Sequence, residues 1–367
     1  MSVHIPIPTL SIESCEERQA YLTQLIEEQN LDAVLIGNPR HVHYYTAYWE
    51  RPFFSPLFLL TRDGVRTLVI PFECDWPTAV DVKKTYTFNK VATLVEDQLA
   101  NSLHELAGEL SGVKKLGVDF GIRPGLLPAQ KAEQIDLSAA ILKQRRRKYA
   151  DEMDLFKRLY QTTEAAYGYV REHLRVGVTE VELYAGMMEI LGNQQGEHFG
   201  FFGNDFRFGE GGGLPRYREA ESGQIAVIDL GVECRGYRSD MCRSFAVDTI
   251  SAAQQDAREQ ILETIRMVER TVRPGVSCRE VYESAFNKLN GHRGWEFPHH
   301  LGHGLGLSPH EAPHLNPEWD EIFEVGDLFT VEPGLYHEEL KGGLRIEEVY
   351  FLGESGLEKL TTLPTKY

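Results

Sequence analysis

The sequence predicts a two-domain chain: an α/β domain over residues 1–148, then an α+β domain over residues 149–367 built from two related halves. Three observations lead there. At 367 residues the chain exceeds what one hydrophobic core usually organises. The basic run Lys143-Gln144-Arg145-Arg146-Arg147-Lys148 reads as a solvated linker and sets the boundary near Lys148. Beyond it, two segments align without gaps to two later ones.

In chain order, Ser14 and Glu17 have capping-box spacing, and Tyr21, Leu22, Leu25 and Ile26 form a helical stripe leading into the strand-like Asp32-Ala33-Val34-Leu35-Ile36. PLFLLTRDGVRTLVIP (residues 56–71) reads as two strands joined at Asp63-Gly64, and KLGVDFG (115–121) as a later strand. Nothing in this first domain looks catalytic. After the linker, Met153, Phe156, Leu159, Tyr160, Ala166 and Val170 keep the spacing of one long amphipathic helix. RVGVTEVELYAGMMEIL (175–191) then matches RPGVSCREVYESAFNKL (273–289), pairing the capping boxes Thr179/Glu182 and Ser277/Glu280. GQIAVIDLG (223–231) likewise lies over GDLFTVEPG (326–334), which superimposes Asp229 on Glu332. Each half reads as helix, helix, then β-hairpin.

Composition narrows the function. Against 38 basic residues stand 55 acidic ones, a net charge of −17 that repels phosphate backbones and anionic headgroups, so no nucleic-acid partner is expected. The apolar runs are far too short to span a bilayer, and the N-terminus lacks a basic start and an apolar core. Five scattered cysteines without C-x-x-C fit a reducing cytoplasm. A soluble cytoplasmic protein is expected.

The acids of the two hairpins carry the chemistry. Asp229 ends one apolar run, and Asp240 returns eleven residues later. With a turn centred between Cys234 and Arg235, the two would be direct cross-strand neighbours, Cβ atoms roughly 4.5–5.5 Å apart. Glu332 and Glu347 repeat the arrangement around Gly342-Gly343. Four such carboxylates require protons, arginines or cations as compensation, and hard divalent cations are the simplest answer. The stretch HHLGHGLGLSPHEAPH (299–314) holds five of the thirteen histidines. Its glycines argue against a helix, and no glutamate follows His299, so it is not an H-E-x-x-H zinc helix. On a strand, 299, 301 and 303 share a face and His300 points away.

The series DLGVECRGYRSDMCRSF, HHLGHGLGL…HE, VEPGLY and RIEE resembles the pita-bread metallopeptidase family, which includes methionine aminopeptidase, Xaa-Pro aminopeptidase, Xaa-Pro dipeptidase and the metal-free creatinase. With an α/β domain ahead of it, the chain is similar to the creatinase and prolidase branch. The resemblance implies a creatinase/prolidase-type N-terminal domain, then a pita-bread domain with an internal pseudo-two-fold repeat. It implies that Asp229, Asp240, His303, Glu332 and Glu347 bind two divalent ions, with Asp240 and Glu347 bridging, Asp229 completing one shell and His303 and Glu332 the other. Glu332 would shuttle a proton, His310 stabilise the tetrahedral intermediate, His299 line the substrate pocket, and Arg345 serve behind the ligands or hold a substrate carboxylate. One imidazole among four carboxylates favours manganese, with zinc, cobalt or iron also open. Cleavage of an Xaa-Pro amide bond in a small peptide, by a homodimer, is the expected function.

Two positions depart from the pattern. Leu214-Pro215-Arg216-Tyr217 carries Arg216 where prolidase-like members have a substrate-holding histidine, and Cys242 stands where threonine is common. Arg216 motivates an alternative, the same fold and metals acting on a small non-peptide substrate with a carboxylate. A third reading, a metal-free binding module, runs against the intact ligand set.

Overall fold

The computed structural model describes residues 7–50, 53–123 and 132–365. Two compact units emerge, one of Thr9–Gln144 and one made chiefly of Arg145–Tyr367.

The first unit runs α1 (Ile12–Glu28), β1 (Ala33–Ile36), α2 (Pro39–Thr46), β2 (Leu57–Thr61), β3 (Arg66–Ile70), β4 (Val82–Thr85), a short ribbon of β5 (Asn89–Lys90) and β6 (Thr93–Leu94), α3 (Gln98–His104), β7 (Lys115–Val118), β8 (Glu133–Asp136) and α4 (Ser138–Arg146), whose last turn passes the unit boundary. One six-stranded sheet orders the strands β4-β3-β2-β1-β7-β8. Strand β1, an unbroken apolar run, is wholly buried at the centre, antiparallel to β2 and parallel to β7. The expected hairpin at Asp63-Gly64 is present, with Gly64 at φ 90°. The expected cap is three residues late. Ser11, not Ser14, caps α1, and it accepts the Ser14 N–H at 3.0 Å, because helix formation begins as soon as a side-chain oxygen satisfies the free amides of the first turn.

The second unit opens with α5 (Ala150–His173), the long amphipathic helix read from the spacing, and α6 (Glu180–Gln195). There follow β9 (Gly200–Phe208), β10 (Ile225–Cys234), β11 (Tyr237–Arg238) and β12 (Cys242–Ala246). The second half answers with α7 (Ala252–Thr271), α8 (Cys278–Leu289), β13 (Gly302–Gly304), β14 (Glu311–Leu315), β15 (Leu328–Val331), β16 (Gly334–Leu335), β17 (Leu344–Arg345), β18 (Glu348–Gly353) and β19 (Gly356–Lys359). Thr179 and Glu182 form a reciprocal capping box on α6, while at α8 Ser277 accepts the Glu280 N–H. Ile261 and Ile265 of α7 and Val281 and Ala285 of α8 share one buried core with residues of β10, β12, β15 and β18 and with the fully buried Trp295, which follows α8. Fully burying one such aliphatic side chain is worth about 1.5–3 kcal/mol, so this core fixes where the strand ends carrying the acids lie.

Candidate metal centre

Each half delivers its acids through strand register. Strands β10 and β11 meet in a two-residue turn of Arg235 and Gly236, both left-handed (φ 50° and 83°), with Cys234 paired to Tyr237. Two successive positive φ values match the twist of an antiparallel hairpin. The turn therefore centres one residue beyond the expected position, and Asp229 pairs with Cys242 rather than Asp240. Asp240 lies in the break between β11 and β12, two residues before Cys242, with its carboxyl set against the charge of Asp229. The Ser239 carbonyl presses against Gly231, where a Cβ would overlap it. On its other side Asp229 pairs directly with Asp205 of β9.

In the second half, the pairings Val331 with Glu348 and Gly334 with Arg345 keep one register across a short interruption, which sets Glu332 opposite Glu347. The Glu347 N–H donates to the Cys242 carbonyl at 3.1 Å, a direct link between the two acidic hairpins. Glu348, the adjacent acid, faces the other side and pairs with Arg243 at 3.0 Å. Cys242 is buried, its thiol 3.6 Å from the Arg345 carbonyl.

His303 enters from β13. Its Nδ1 lies 3.1 Å from the Gly304 carbonyl, so the Nδ1–H tautomer leaves the Nε2 lone pair facing Glu332 Oε1 at 3.4 Å and Asp240 Oδ2 at 3.8 Å. One ligand atom each of Asp240, His303 and Glu347 lies within 4.8 Å of the other two, all buried. Both carboxylate oxygens of Glu347 are buried without a hydrogen-bond partner. Burial first, and then neighbouring carboxylates, hold Asp240 and Glu347 well above the usual carboxylate range and push Glu332 up to about 8. Burial and the neighbouring histidines drive His303 well below its ordinary value. Acids this strained, beside an imidazole with a free lone pair, fit divalent cations by donor type and by charge.

Asp229, Asp240, His303 and Glu332 line a cavity of about 180 Å³, with Glu347 outside its lining. His310 stacks on His303, ring centroids 3.8 Å apart, and His299 Nε2 meets the Tyr336 hydroxyl at 3.0 Å. Burial lowers His299 to about 4. Arg345 reaches in from β17, pairing with Asp229 at 2.6 Å and with Asp205, and donating to the Tyr336 hydroxyl at 2.8 Å. His300 also lines the cavity, with Nδ1 3.5 Å from Glu332 Oε1. The expectation that it points away is corrected, since β13 begins only at Gly302 and strand alternation does not reach back to residue 300. Arg216 lies apart from the cavity lining, bound to the buried Glu180 at 3.1 Å and to Glu210 at 3.0 Å.

Sequence reasoning missed Asp205, His300 and Tyr336. The adjacency of His300 to His299 was a visible signal. Asp205 becomes visible only when β9 is registered against β10.

The model of metallopeptidase family M24 matches residues 154–354, and that of the creatinase/prolidase N-terminal domain matches residues 18–147. An Xaa-Pro dipeptidase of Pyrococcus horikoshii is 24% identical, over 94% of this chain and 97% of the relative. A putative dipeptidase of Bacillus subtilis, YkvY, is 34% identical over 52% of this chain and 53% of its own. The crystal structure of the prolidase from Pyrococcus horikoshii superimposes with a TM-score of 0.79 at 24% identity, covering 95% of this chain and 99% of that one. Among the described residues no helix is long and apolar enough to cross a membrane. With its creatinase/prolidase-type N-terminal domain and its repeated pita-bread domain, the chain belongs to metallopeptidase family M24 and is a peptidase.

Proposed function

We propose that the protein hydrolyses the Xaa-Pro amide bond of a dipeptide or short peptide, using two divalent cations held by Asp229, Asp240, His303, Glu332 and Glu347. The observation that carries this reading is Glu347, fully buried with both oxygens partnerless, in reach of Asp240 and His303. When bound, such ions lower the pKa of water and polarise a carbonyl. Manganese suits the donor set of four carboxylates and one imidazole.

Around the ions the chain's own groups have distinct tasks. Glu332, buried among the other acids beside His303, would accept a proton at Oε1 and return it to the leaving nitrogen. His310, stacked on His303, donates a hydrogen bond toward the developing oxyanion. His299 is kept neutral, and with its Nε2 committed to Tyr336 it shapes the pocket that receives the substrate. Arg345 lies in the cavity lining and pairs with Asp229 and Asp205. Arg216, tied to Glu180 and Glu210, would act on substrate choice only indirectly, through the residues it holds in place. The family branch further suggests domains of residues 1–148 and 149–367, a homodimer and a cytoplasmic setting.

Metal content and hydrolysis of Gly-Pro and Ala-Pro, before and after chelation, test the reading. Activity lost with the metal and restored by Mn²⁺ is expected; a metal-replete protein inert on a panel of Xaa-Pro peptides sinks the specificity claim.

A further inference from the structure

Asp205 sits in the cavity but belongs to none of the tasks above. It is the direct cross-strand partner of Asp229, and the two share one guanidinium nitrogen, Arg345 Nη2. Its other oxygen accepts the Gly213 N–H at 2.7 Å, and Gly212 packs against the carboxylate so closely that a side chain there would collide with it. Asp205 is thus clamped from two sides, largely out of solvent, with Arg345 between it and a proposed metal ligand.

Charge balance gives this arrangement a purpose. The four ligand carboxylates carry the charge that two divalent cations neutralise. A guanidinium inside that set is one positive charge in excess, and it competes with a cation for Asp229. A fifth carboxylate removes the conflict by accepting the arginine. We infer that Asp205 is a positioning residue that draws the Arg345 charge off Asp229 and so keeps Asp229 available to a cation. This role rests on the dinuclear reading proposed above.

The test is calorimetric titration of Mn²⁺ into the full-length chain stripped with chelator, which reads binding without any assay of activity. Wild type is expected to bind two equivalents. Asp205→Asn keeps the shape and removes the charge; it should retain one tight equivalent at Asp240, His303 and Glu347, while the other weakens by about 10–100-fold, the usual cost of disturbing the groups behind a metal ligand. Adding Arg345→Gln to Asp205→Asn removes the excess positive charge and should restore the second equivalent, a recovery that a merely structural lesion would not show. Two full-affinity equivalents in Asp205→Asn, or no recovery in the double variant, overturns the inference. If Asp205→Asn binds no ion at all, the double variant decides in the same way. A wild-type chain that takes up fewer than two ions overturns the dinuclear reading itself, and this role with it.

Discussion

Glu347→Gln separates a metal-site acid from a structural one, because the two predict opposite effects on the metal-free protein. The unit carrying the site spans roughly 230 residues, so its unfolding entropy is about 0.5 kcal/mol/K, taking about 2.1 cal/mol/K per residue. An ion at a free concentration of about 100 times its Kd stabilises the folded state by about 2.7 kcal/mol. Two ions should therefore raise Tm by about 11 °C over the chelated protein. Glu347 is proposed to touch both ions, so in Glu347→Gln that gap should shrink to a few degrees. The chelated variant, by contrast, should melt no lower than chelated wild type, since the carboxyl replaced is buried and neither oxygen has a hydrogen-bond partner to lose. Differential scanning calorimetry with and without Mn²⁺ reads both numbers. A variant that keeps the full gap, or whose chelated form melts well below wild type, refutes the reasoning. The pH dependence has a matching sign. Glu332 rises to about 8 on folding, so the folded metal-free chain binds more protons than the unfolded one, and its stability falls as pH rises from the ordinary carboxylate range toward 8.

Glu311 is buried between Arg145 and Lys148, whose charges together outweigh the desolvation of its carboxyl and hold it below the usual range. Glu311→Gln removes the anion that the buried Arg145 and Lys148 both face and should cost about 3–5 kcal/mol by denaturant unfolding near neutral pH. Because the folded pKa is depressed, the stabilisation from Glu311 is present above its unfolded pKa and lost as pH falls through the folded value, so the gap between variant and wild type should close in acid. Gly231→Ala, which drives a Cβ into the Ser239 carbonyl next to Asp240, should cost at least the about 1–3 kcal/mol of an overpacked core and weaken Mn²⁺ uptake; unchanged uptake would show that the loop tolerates the shift. His310→Ala should lower kcat on an Xaa-Pro peptide by about 10²–10³ with metal stoichiometry intact, and metal loss instead would assign His310 to the ligand set.

Much of this molecule was legible beforehand, for identifiable reasons. Strand β1 reads as a buried central strand because it is an unbroken apolar run, and α5 as a helix because its apolar residues keep helical spacing over 24 residues. The two-half architecture shows in aligned caps and in carboxylates ending equivalent strands. The family motifs carried the choice of the five proposed ligands, and composition or periodicity alone would not have selected them. What failed did so at register and at irregular backbone. The one-residue error in the β10–β11 turn arose because a left-handed Arg235 is not visible in residue type, and the expected cap at Ser14 lost to Ser11 because several serines can serve. His300 entered the cavity because its backbone leaves the strand pattern.

The sequence by itself determined which elements form, since periodicity, caps and turn residues act over a few positions. Only the tertiary structure decided what meets what. It set Asp205 against Asp229, turned Arg345 between them, and committed Arg216 to Glu180 and Glu210 away from the cavity lining. Those outcomes depend on strand register and on competition for a few charges within one buried volume, where a shift of one residue moves every side chain to the opposite face.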